Sequence, residues 1–136
     1  MQLKSLLLLA TTNLISSATA AKIATQSDAD ALAATVTDGL EVSSSYTGDL
    51  IIPAVTTVVG NITYSGPDLI NFSAPVLSVV VGTFNFTGAF RSLSVPNVTQ
   101  ITEALIVETS NTSFDCSPFQ KLQRDGIVGG QFTCTV

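Results

Sequence analysis

The sequence predicts a mainly β fold, a short right-handed parallel β-solenoid of about four to five coils with small helical caps at its two ends. The first observation behind this prediction is that Val59–Tyr64 (VGNITY) recurs 22 residues later as Val81–Phe86 (VGTFNF). The second is that Pro53, Pro75 and Pro96 follow one another at intervals of 22 and 21 residues. The third is a set of apolar columns with the same period. A unit this short cannot bury its own apolar face, so each unit must stack on the next.

The apolar columns keep their spacing over several units, which favours a solenoid over an antiparallel β-sandwich. A sandwich also has short strands with turns at regular spacing, but it does not require side chains to recur at one period. A solenoid does, because equivalent residues of successive coils lie above one another. The columns are Leu40, Ile62, Phe84 and Leu105; Val42, Tyr64, Phe86 and Val107; Leu50, Phe72, Leu93 and Phe114; Val55, Leu77, Val98 and Phe119; and Val58, Val80, Ile101 and Leu122.

Residues 1–20 have the features of a secretory leader, which would be removed from the mature protein. Lys4 supplies the positive start, residues 6–9 are all leucine, and residues 18–20 (ATA) form a cleavage site of small residues. The alternative is a membrane anchor. It is less favoured because the polar residues 11–13 interrupt the apolar run well short of the roughly 20 residues that a membrane span needs. We predict no membrane-spanning segment after cleavage, and a single domain.

Residues 21–36 are predicted to form an N-terminal cap with a brief helix from Ser27 to Ala34. Ser27 is a suitable capping residue, and Asp28 and Asp30 suit the positive end of the helix dipole. A helix across the first coil would cover its open backbone edge, which is otherwise a template for aggregation.

Residues 37–136 are predicted to form the solenoid domain, closed by a disulfide cap. The four predicted coils are 37–58, 59–80, 81–101 and 102–122. In the strand that opens each coil the side chains alternate, so that Ile62 and Tyr64 face inward. Turns are predicted at Ser65–Pro67 and Thr87–Gly88. Each of the three periodic prolines ends a short strand, because it has no N–H to donate.

The last residues are predicted to close the solenoid with a helix, a partial rung and a disulfide. Ser117 is the expected helix cap and Pro118 suits the first helical position. Gly130–Cys134 has the pattern of the strand that opens each coil. Cys116 and Cys134 are expected to pair, since two cysteines this close in a secreted chain usually do. The alternative is two unpaired buried thiols.

Five of the six asparagines stand in Asn-x-Ser/Thr sequons, the acceptor sites of N-glycosylation. Ser and Thr make up 33 of 136 residues, so about one asparagine in four would match by chance. The middle residues of four sequons are predicted to face inward, which turns the asparagine and the hydroxyl residue toward solvent. The alternative is that these are merely outward polar residues. The five predicted glycosylation sites are Asn61, Asn71, Asn85, Asn97 and Asn111.

The composition argues against several functions. The formal net charge is −5, which would be repelled by nucleic acid or an anionic membrane, so no nucleic-acid partner is expected. The chain contains no histidine, which excludes imidazole metal ligands and a histidine base. We predict no metal and no cofactor.

Two other functions compete with a purely structural one. A polysaccharide-cleaving enzyme needs a carboxylate pair or an acid cluster. Asp49 aligns with Asn71, Ser92 and Ser113 instead, so no column of acids forms and no enzymatic activity is expected. A diffusible binding module for a glycan or a host protein is the other possibility, since solenoid faces offer extended surfaces. Its surface residues would be Tyr46, Phe90 and Arg91, although Phe90 is expected to pack on its turn.

Several of these segments resemble fungal GPI-anchored cell-wall organisation glycoproteins. The resemblance covers nearly all of the chain after the leader, and its C-terminal motif is more specific than the coil pattern. The segments are Ser27-Asp28-Ala29-Asp30-Ala31-Leu32, Asp38-Gly39, the Pro-x-apolar-x-x-apolar coils, and Cys116-Ser117-x-Phe119-x-Lys121-Leu122-x-x-x-Gly126-x-Val128-x-Gly130-x-Phe132-Thr133-Cys134.

The resemblance implies a leucine-rich, receptor-L-domain-like solenoid at the cell surface, with a role in cell-wall organisation or integrity and without known catalysis. Wall polysaccharide or a wall protein would then be the partner. Such proteins are generally longer and end in a Ser/Thr-rich stalk and an anchor signal, neither of which precedes Val136. If the sequence is complete, we expect the protein to be secreted or held in the wall rather than lipid-anchored.

Overall fold

The computed structural model describes residues 20–136, which form a β-solenoid of about four turns with two short helices. Of the predicted leader, only Ala20 falls within these residues. The strands are β1 (Ala21–Ile23), β2 (Thr35–Thr37), β3 (Leu40–Val42), β4 (Gly48–Ile51), β5 (Thr57–Val59), β6 (Ile62–Gly66), β7 (Leu69–Ser73), β8 (Val79–Val81), β9 (Phe84–Gly88), β10 (Ser92–Ser94), β11 (Gln100–Ile101), β12 (Leu105–Thr109) and β13 (Phe132–Thr135). The helices are α1 (Gln26–Asp30) and α2 (Ser117–Arg124).

The strands form three sheets in which all neighbouring strands are parallel. Sheet A has the order β1-β3-β6-β9-β12-β13, sheet B the order β2-β5-β8-β11, and sheet C the order β4-β7-β10. From β3 to β11 each coil passes through sheet A, then sheet C, then sheet B. Parallel pairing throughout confirms the predicted solenoid, because a sandwich of hairpins would be antiparallel.

The strand registers confirm the apolar columns of the first three coils. In sheet A, Ile62 pairs with Phe84, and two residues further on Tyr64 pairs with Phe86. In sheet C, Phe72 pairs with Leu93. The columns that begin at Leu40, Leu50 and Val58 are matched in the same way. Val55, Leu77 and Val98 lie between strands and are buried, and each proline lies two residues beyond a strand of sheet C, as predicted. The period seen in the sequence is therefore the length of one coil.

The fourth coil is longer than predicted, and its boundary at residue 122 is wrong. Leu122, which was expected beside Ile101, lies in α2 instead. Val128 occupies that position and forms a parallel bridge with Ile101. Phe114 precedes α2 and Phe119 lies within it, although both remain buried as predicted.

A stack of aromatic rings fills the interior. The Phe86 side chain is fully buried, and its ring centroid lies 4.7 Å from that of Phe72 and 4.8 Å from that of Phe84. Tyr64 and Phe90 contact the same ring at centroid distances of 5.7 and 6.1 Å. Aromatic pairs at such distances contribute about 0.5–1.5 kcal/mol each beyond the area they bury. These rings join two successive coils into one core.

Gly66 and Gly88 mark a corner where the backbones of successive coils touch. They are the last residues of β6 and β9 and pair directly, which corrects the prediction that they lie in turns. A Cβ on Gly88 would collide with the Gly66 carbonyl oxygen, and one on Gly66 with the Ser44 carbonyl oxygen. Glycine is needed here for close approach rather than for a special turn.

The N-terminal helix α1 is shorter than predicted and begins earlier. Thr25, not Ser27, is its N-cap, and the Thr25 hydroxyl accepts a hydrogen bond from the Asp28 N–H at 3.3 Å. The Asp28 carboxylate accepts one from the Thr25 N–H at 3.1 Å, which completes a capping box. The predicted cap, residues 21–36, also contains β1 and β2, which pair with the next coil. Pairing of β2 overrides the helix propensity of the alanines before it.

Gln26 covers the open edge of sheet C. Its side-chain Nε2 donates to the Ile51 carbonyl at 2.7 Å, and its Oε1 accepts from the Ile51 N–H at 3.0 Å. The amide thereby takes both backbone positions that a further strand would occupy beside β4. This is the shielding that a cap helix was predicted to provide, achieved here by one side chain.

The C-terminal helix α2 has a different cap from the predicted one. Cys116 occupies the cap position without a side-chain cap bond, and the Asp115 carboxylate accepts from the Ser117 N–H at 2.9 Å. Gly126 follows the helix with a φ of +75°, which suits glycine and agrees with the predicted end. Next, β13 pairs with β12, confirming the predicted partial rung.

Replacing Phe86 by alanine is expected to lower the free energy of unfolding by about 3–5 kcal/mol, because the cavity would lie among four aromatic neighbours. Urea unfolding followed by circular dichroism would measure this. The matched control is Ile70→Ala, since Ile70 is 43% exposed. We expect it to cost less than about 1 kcal/mol. Similar losses in both variants would contradict the assignment of Phe86 to the core.

Replacing Gln26 by alanine is expected to cost about 1–2 kcal/mol and to speed hydrogen exchange of the Ile51 amide, because both hydrogen bonds to Ile51 are lost. Gln26→Glu is the matched variant. It can still accept from the Ile51 N–H but cannot donate to the carbonyl, so exchange should be intermediate. Unchanged exchange at Ile51 in Gln26→Ala would refute the edge-covering role.

Candidate functional site

The outer surface of the solenoid is the candidate functional site, because the interior is filled by side chains. On sheet A, the outward column of the first four strands is Lys22, Glu41, Thr63 and Asn85. An open groove of about 460 Å³ lies along this column and is lined mainly by hydroxyl, amide and charged groups. Lys22 and Glu41 approach to 3.9 Å at one end of it, and both side chains are largely exposed. This groove can form hydrogen bonds with a polar ligand.

The predicted sequons lie on the outside of the coils. Their middle residues Ile62, Phe72, Phe86 and Val98 are all buried, which confirms the predicted inward register. The asparagine and hydroxyl residues on either side are exposed or half-buried. Asn61 and Asn97 are the exposed asparagines, whereas Asn71, Asn85 and Asn111 are half-buried. Modification of these residues stays a prediction.

The sequon asparagines also connect one coil to the next, which the sequence reasoning missed. Asn61 Oδ1 accepts from the Thr83 N–H at 2.9 Å, and Asn97 Nδ2 donates to the Pro75 carbonyl. Each partner lies 22 residues away, which is one repeat period, so the repeat could have indicated these contacts. A glycan on Nδ2 leaves Oδ1 and one N–H available. These contacts are therefore compatible with modification.

The polar ladder on sheet C contains a single acid. Asp49 aligns with Asn71, and Asn71 with Ser92, as predicted. Asn71 Nδ2 donates to the Asp49 carboxylate at 2.9 Å, and its Oδ1 accepts from the Ser92 hydroxyl at 2.8 Å. Within residues 20–136, no group of three or more His, Cys, Asp or Glu side chains is placed to hold a metal ion. The ladder links three coils by hydrogen bonds.

The nine aromatic side chains lie mainly in the interior. Eight are buried, and Phe132 is half-buried beside the C-terminal end. Tyr46 was one of the residues expected on a binding surface, but it is buried and its hydroxyl donates to the Asp49 carbonyl at 2.7 Å, which corrects that expectation. Phe90 is packed as predicted, and Arg91 remains exposed.

The titratable groups with shifted pKa values are held by local contacts. Hydrogen bonds from the Ala24 and Thr25 N–H groups lower the pKa of Asp28. Hydrogen bonds from Ser117 lower the pKa of Asp115. Burial, with help from the charge on Asp49, raises the pKa of Tyr46. Capping and packing explain each of these shifts, and none of them marks an acid–base pair.

A disulfide closes the C-terminal end, as predicted. It joins Cys116, just before α2, to Cys134 in β13, with Cα atoms 6.0 Å apart. Cys134 pairs with Val107 and so continues the predicted column of Tyr64 and Phe86. Both cysteines are half-buried and pack against the core. The bond ties the last rung to the helix that covers it.

Comparison with known proteins found one similar surface protein. The chain is 26% identical over 94 residues to a protein of Arthroderma benhamiae named "Cell surface GPI-anchored protein". The aligned residues make up 68% of this chain and 24% of that relative, so the chain spans about a quarter of the relative's length. No family model and no solved structure matches the chain. Neither helix in residues 20–136 is long and apolar enough to cross a bilayer.

Removing the disulfide with the double variant Cys116→Ala, Cys134→Ala is expected to lower the free energy of unfolding by about 3 kcal/mol, from the entropy of the loop it closes. Urea unfolding with and without reductant would test this. Reductant should destabilise the wild type to the same extent and leave the double variant unchanged. A wild type that does not respond to reductant would contradict a stabilising bond.

Proposed function

We propose that this protein is a non-enzymatic, secreted or cell-wall-associated fungal glycoprotein that contributes to the organisation and integrity of the wall. The observation that carries the proposal is the orientation of the sequons. Four of them bury their middle residue and turn the asparagine outward on a rigid stack of coils. Glycans at these positions would stand on the outside without disturbing the core.

Two observations support a location outside the cell. Disulfides persist mainly in oxidising compartments, and Cys116 and Cys134 are paired. The similar protein of Arthroderma benhamiae is named as a cell surface protein. The features of residues 1–20 agree with export through the secretory route.

The outer surface supports a structural role. The polar ladder on sheet C and the groove on sheet A present hydroxyl and amide groups with few charges. Such groups exchange hydrogen bonds readily with water and with the hydroxyls of wall polysaccharide. Asp49 is bonded to Asn71 rather than to a second carboxylate, which supports the absence of glycoside-cleaving chemistry. Wall polysaccharide or a wall protein is the proposed partner.

A diffusible binding module is the alternative, and the groove on sheet A is the observation that favours it. Its volume of about 460 Å³ is enough for a small polar ligand. The sequon residue Asn85 lines the groove, so a glycan there would obstruct it. A glycan on Asn85 is therefore compatible with the structural role but not with ligand binding in this groove.

Expression of the full chain in a yeast or filamentous fungus, followed by fractionation into medium, wall, membrane and cytosol, tests the main proposal. We expect the protein in the medium or the wall, with an apparent mass that falls after N-glycosidase treatment. Finding the protein in the cytosol without glycans would overturn the proposal.

Single sequons can be tested without altering the asparagine contacts. Thr63→Ala removes the acceptor sequence at Asn61 but leaves Asn61 able to bond to Thr83. We expect it to remove one glycan, whereas the control Thr63→Ser retains the sequon and the glycan. Thr99→Ala and Thr99→Ser make the same comparison for Asn97. Equal masses within each pair would show that the sequon is unoccupied.

A further inference from the structure

Sheet C ends at β10, whereas sheet A continues through β12 and β13, and sheet B is extended by a single bridge between Ile101 and Val128. After β12 the chain passes through residues 110–116 into α2 and forms no strand beside β10. The C-terminal edge of β10 therefore faces the segment around Phe114 and the first turns of α2. This is the position that a fourth strand of sheet C would occupy.

The hydrogen bonds between β10 and β7 show which backbone groups of β10 lie on its other edge. Ser94 accepts from the Ala74 N–H at 2.9 Å, so the backbone of Ser94 faces β7. In a parallel ladder, alternate residues face opposite neighbours. The N–H and C=O of Leu93 and the N–H of Val95 consequently point away from β7. No backbone or side-chain hydrogen bond from residues 105–136 reaches them.

Two adjoining hollows run along the same edge. One, of about 220 Å³, lies between Arg91–Leu93 and residues 113–118. The other, of about 470 Å³, lies between Leu93–Val98 and α2, which contributes the apolar Phe119 and Leu122 and the ion pair of Lys121 with Asp125. Leu93 and Val95 are 7% and 9% exposed, whereas Phe72 and Ala74, their counterparts in the coil before, are each 1% exposed. We call the two hollows together the β10 groove.

The opposite edge of sheet C, along β4, is covered by a side chain. There the Gln26 amide occupies both backbone groups of Ile51. Nothing comparable protects Leu93 within residues 20–136. An edge with unpaired donors and acceptors beside apolar walls suits an extended peptide, which supplies backbone partners and side chains together. A sugar chain offers hydroxyls but no apolar side chains for the wall formed by Phe119 and Leu122.

We propose that the β10 groove binds an extended, aliphatic peptide segment of a partner protein, which adds to sheet C as a fourth strand. The segment's N–H and C=O groups pair with Leu93 and Val95, and its inward side chains lie against Phe119 and Leu122. Six residues of β10 and its flank, Arg91–Pro96, span about 20 Å, which sets the length of the segment. The inference rests on the fold alone and does not depend on the proposed function.

A synthetic copy of β7 is the probe, because β7 already pairs with the other edge of β10. The capped peptide of residues 69–74 (LINFSA), followed by two lysines for solubility, would be titrated into the folded protein. In the parallel register, the peptide's Ser73 N–H donates to the Leu93 carbonyl, while its Phe72 N–H points away. Two singly N-methylated peptides therefore form a matched pair.

We expect saturable binding with a dissociation constant below about 1 mM. N-methylation at Ser73 should weaken it at least about tenfold, and N-methylation at Phe72 by less than about threefold, because only the first removes a bond to β10. Equal effects of the two N-methyl groups, or no binding, would overturn strand addition.

Hydrogen exchange tests whether the backbone amides on this edge of β10 are unpaired, and it needs no variant of the protein or of the peptide. In the free protein the amides of Leu93 and Val95 should exchange at least about a hundredfold faster than that of Ser94, and saturating probe should slow them. Equal protection of the three amides in the free protein would overturn the proposal.

A pair of variants on α2 tests the apolar wall. Leu122→Glu places a charge in the groove, whereas Gln120→Glu adds the same charge at an exposed position of α2. We expect Leu122→Glu to weaken probe binding at least about tenfold and Gln120→Glu to leave it unchanged. Circular dichroism and the unfolding midpoint would verify the fold. Full binding by a folded Leu122→Glu variant would contradict a site in this groove.

Discussion

The structure depends on one constraint, the parallel in-register stacking of coils of 21 or 22 residues. Each strand bonds to the equivalent strand of the next coil, so equivalent side chains must also stack. The inward columns then form one continuous core, with Phe72, Phe84 and Phe86 in mutual contact at its centre. The same stacking places polar residues in columns on the outer surface. Core and surface are thus two consequences of one repeat.

Stacking of this kind leaves open edges at both ends, and the chain closes them unequally. At the N-terminal end, α1 replaces a strand of sheet C, and the Gln26 side chain bonds the backbone of Ile51. At the C-terminal end, β13 extends sheet A and the disulfide ties it to the residue before α2. Within residues 20–136, no strand and no side-chain amide is bonded to the C-terminal edge of β10. The proposed peptide site lies along this edge of β10.

The outward columns of the coils are rich in small polar side chains. In sheet C the outward column is Asp49, Asn71 and Ser92, and its single acid, Asp49, is bonded to Asn71. Small polar side chains serve two purposes here. Asn61 and Asn97 join successive coils, and the same two residues are among the predicted glycosylation sites. A polar, weakly charged exterior on a rigid core fits a structural role in the wall, as proposed.

The sequence by itself determined the fold class, the columns of the first three coils, the inward register of the sequons and the cysteine pair. A 21- to 22-residue period can be seen directly in the chain because every coil repeats the same local contacts. Tertiary structure alone decided the features that occur once: Thr25 rather than Ser27 as the helix cap, Val128 rather than Leu122 beside Ile101, and the burial of Tyr46. It also decided that Gln26 covers one edge of sheet C and that β10 leaves the other open. These contacts join residues that share no period, so they form only when the coils are stacked and no pattern in the sequence announces them.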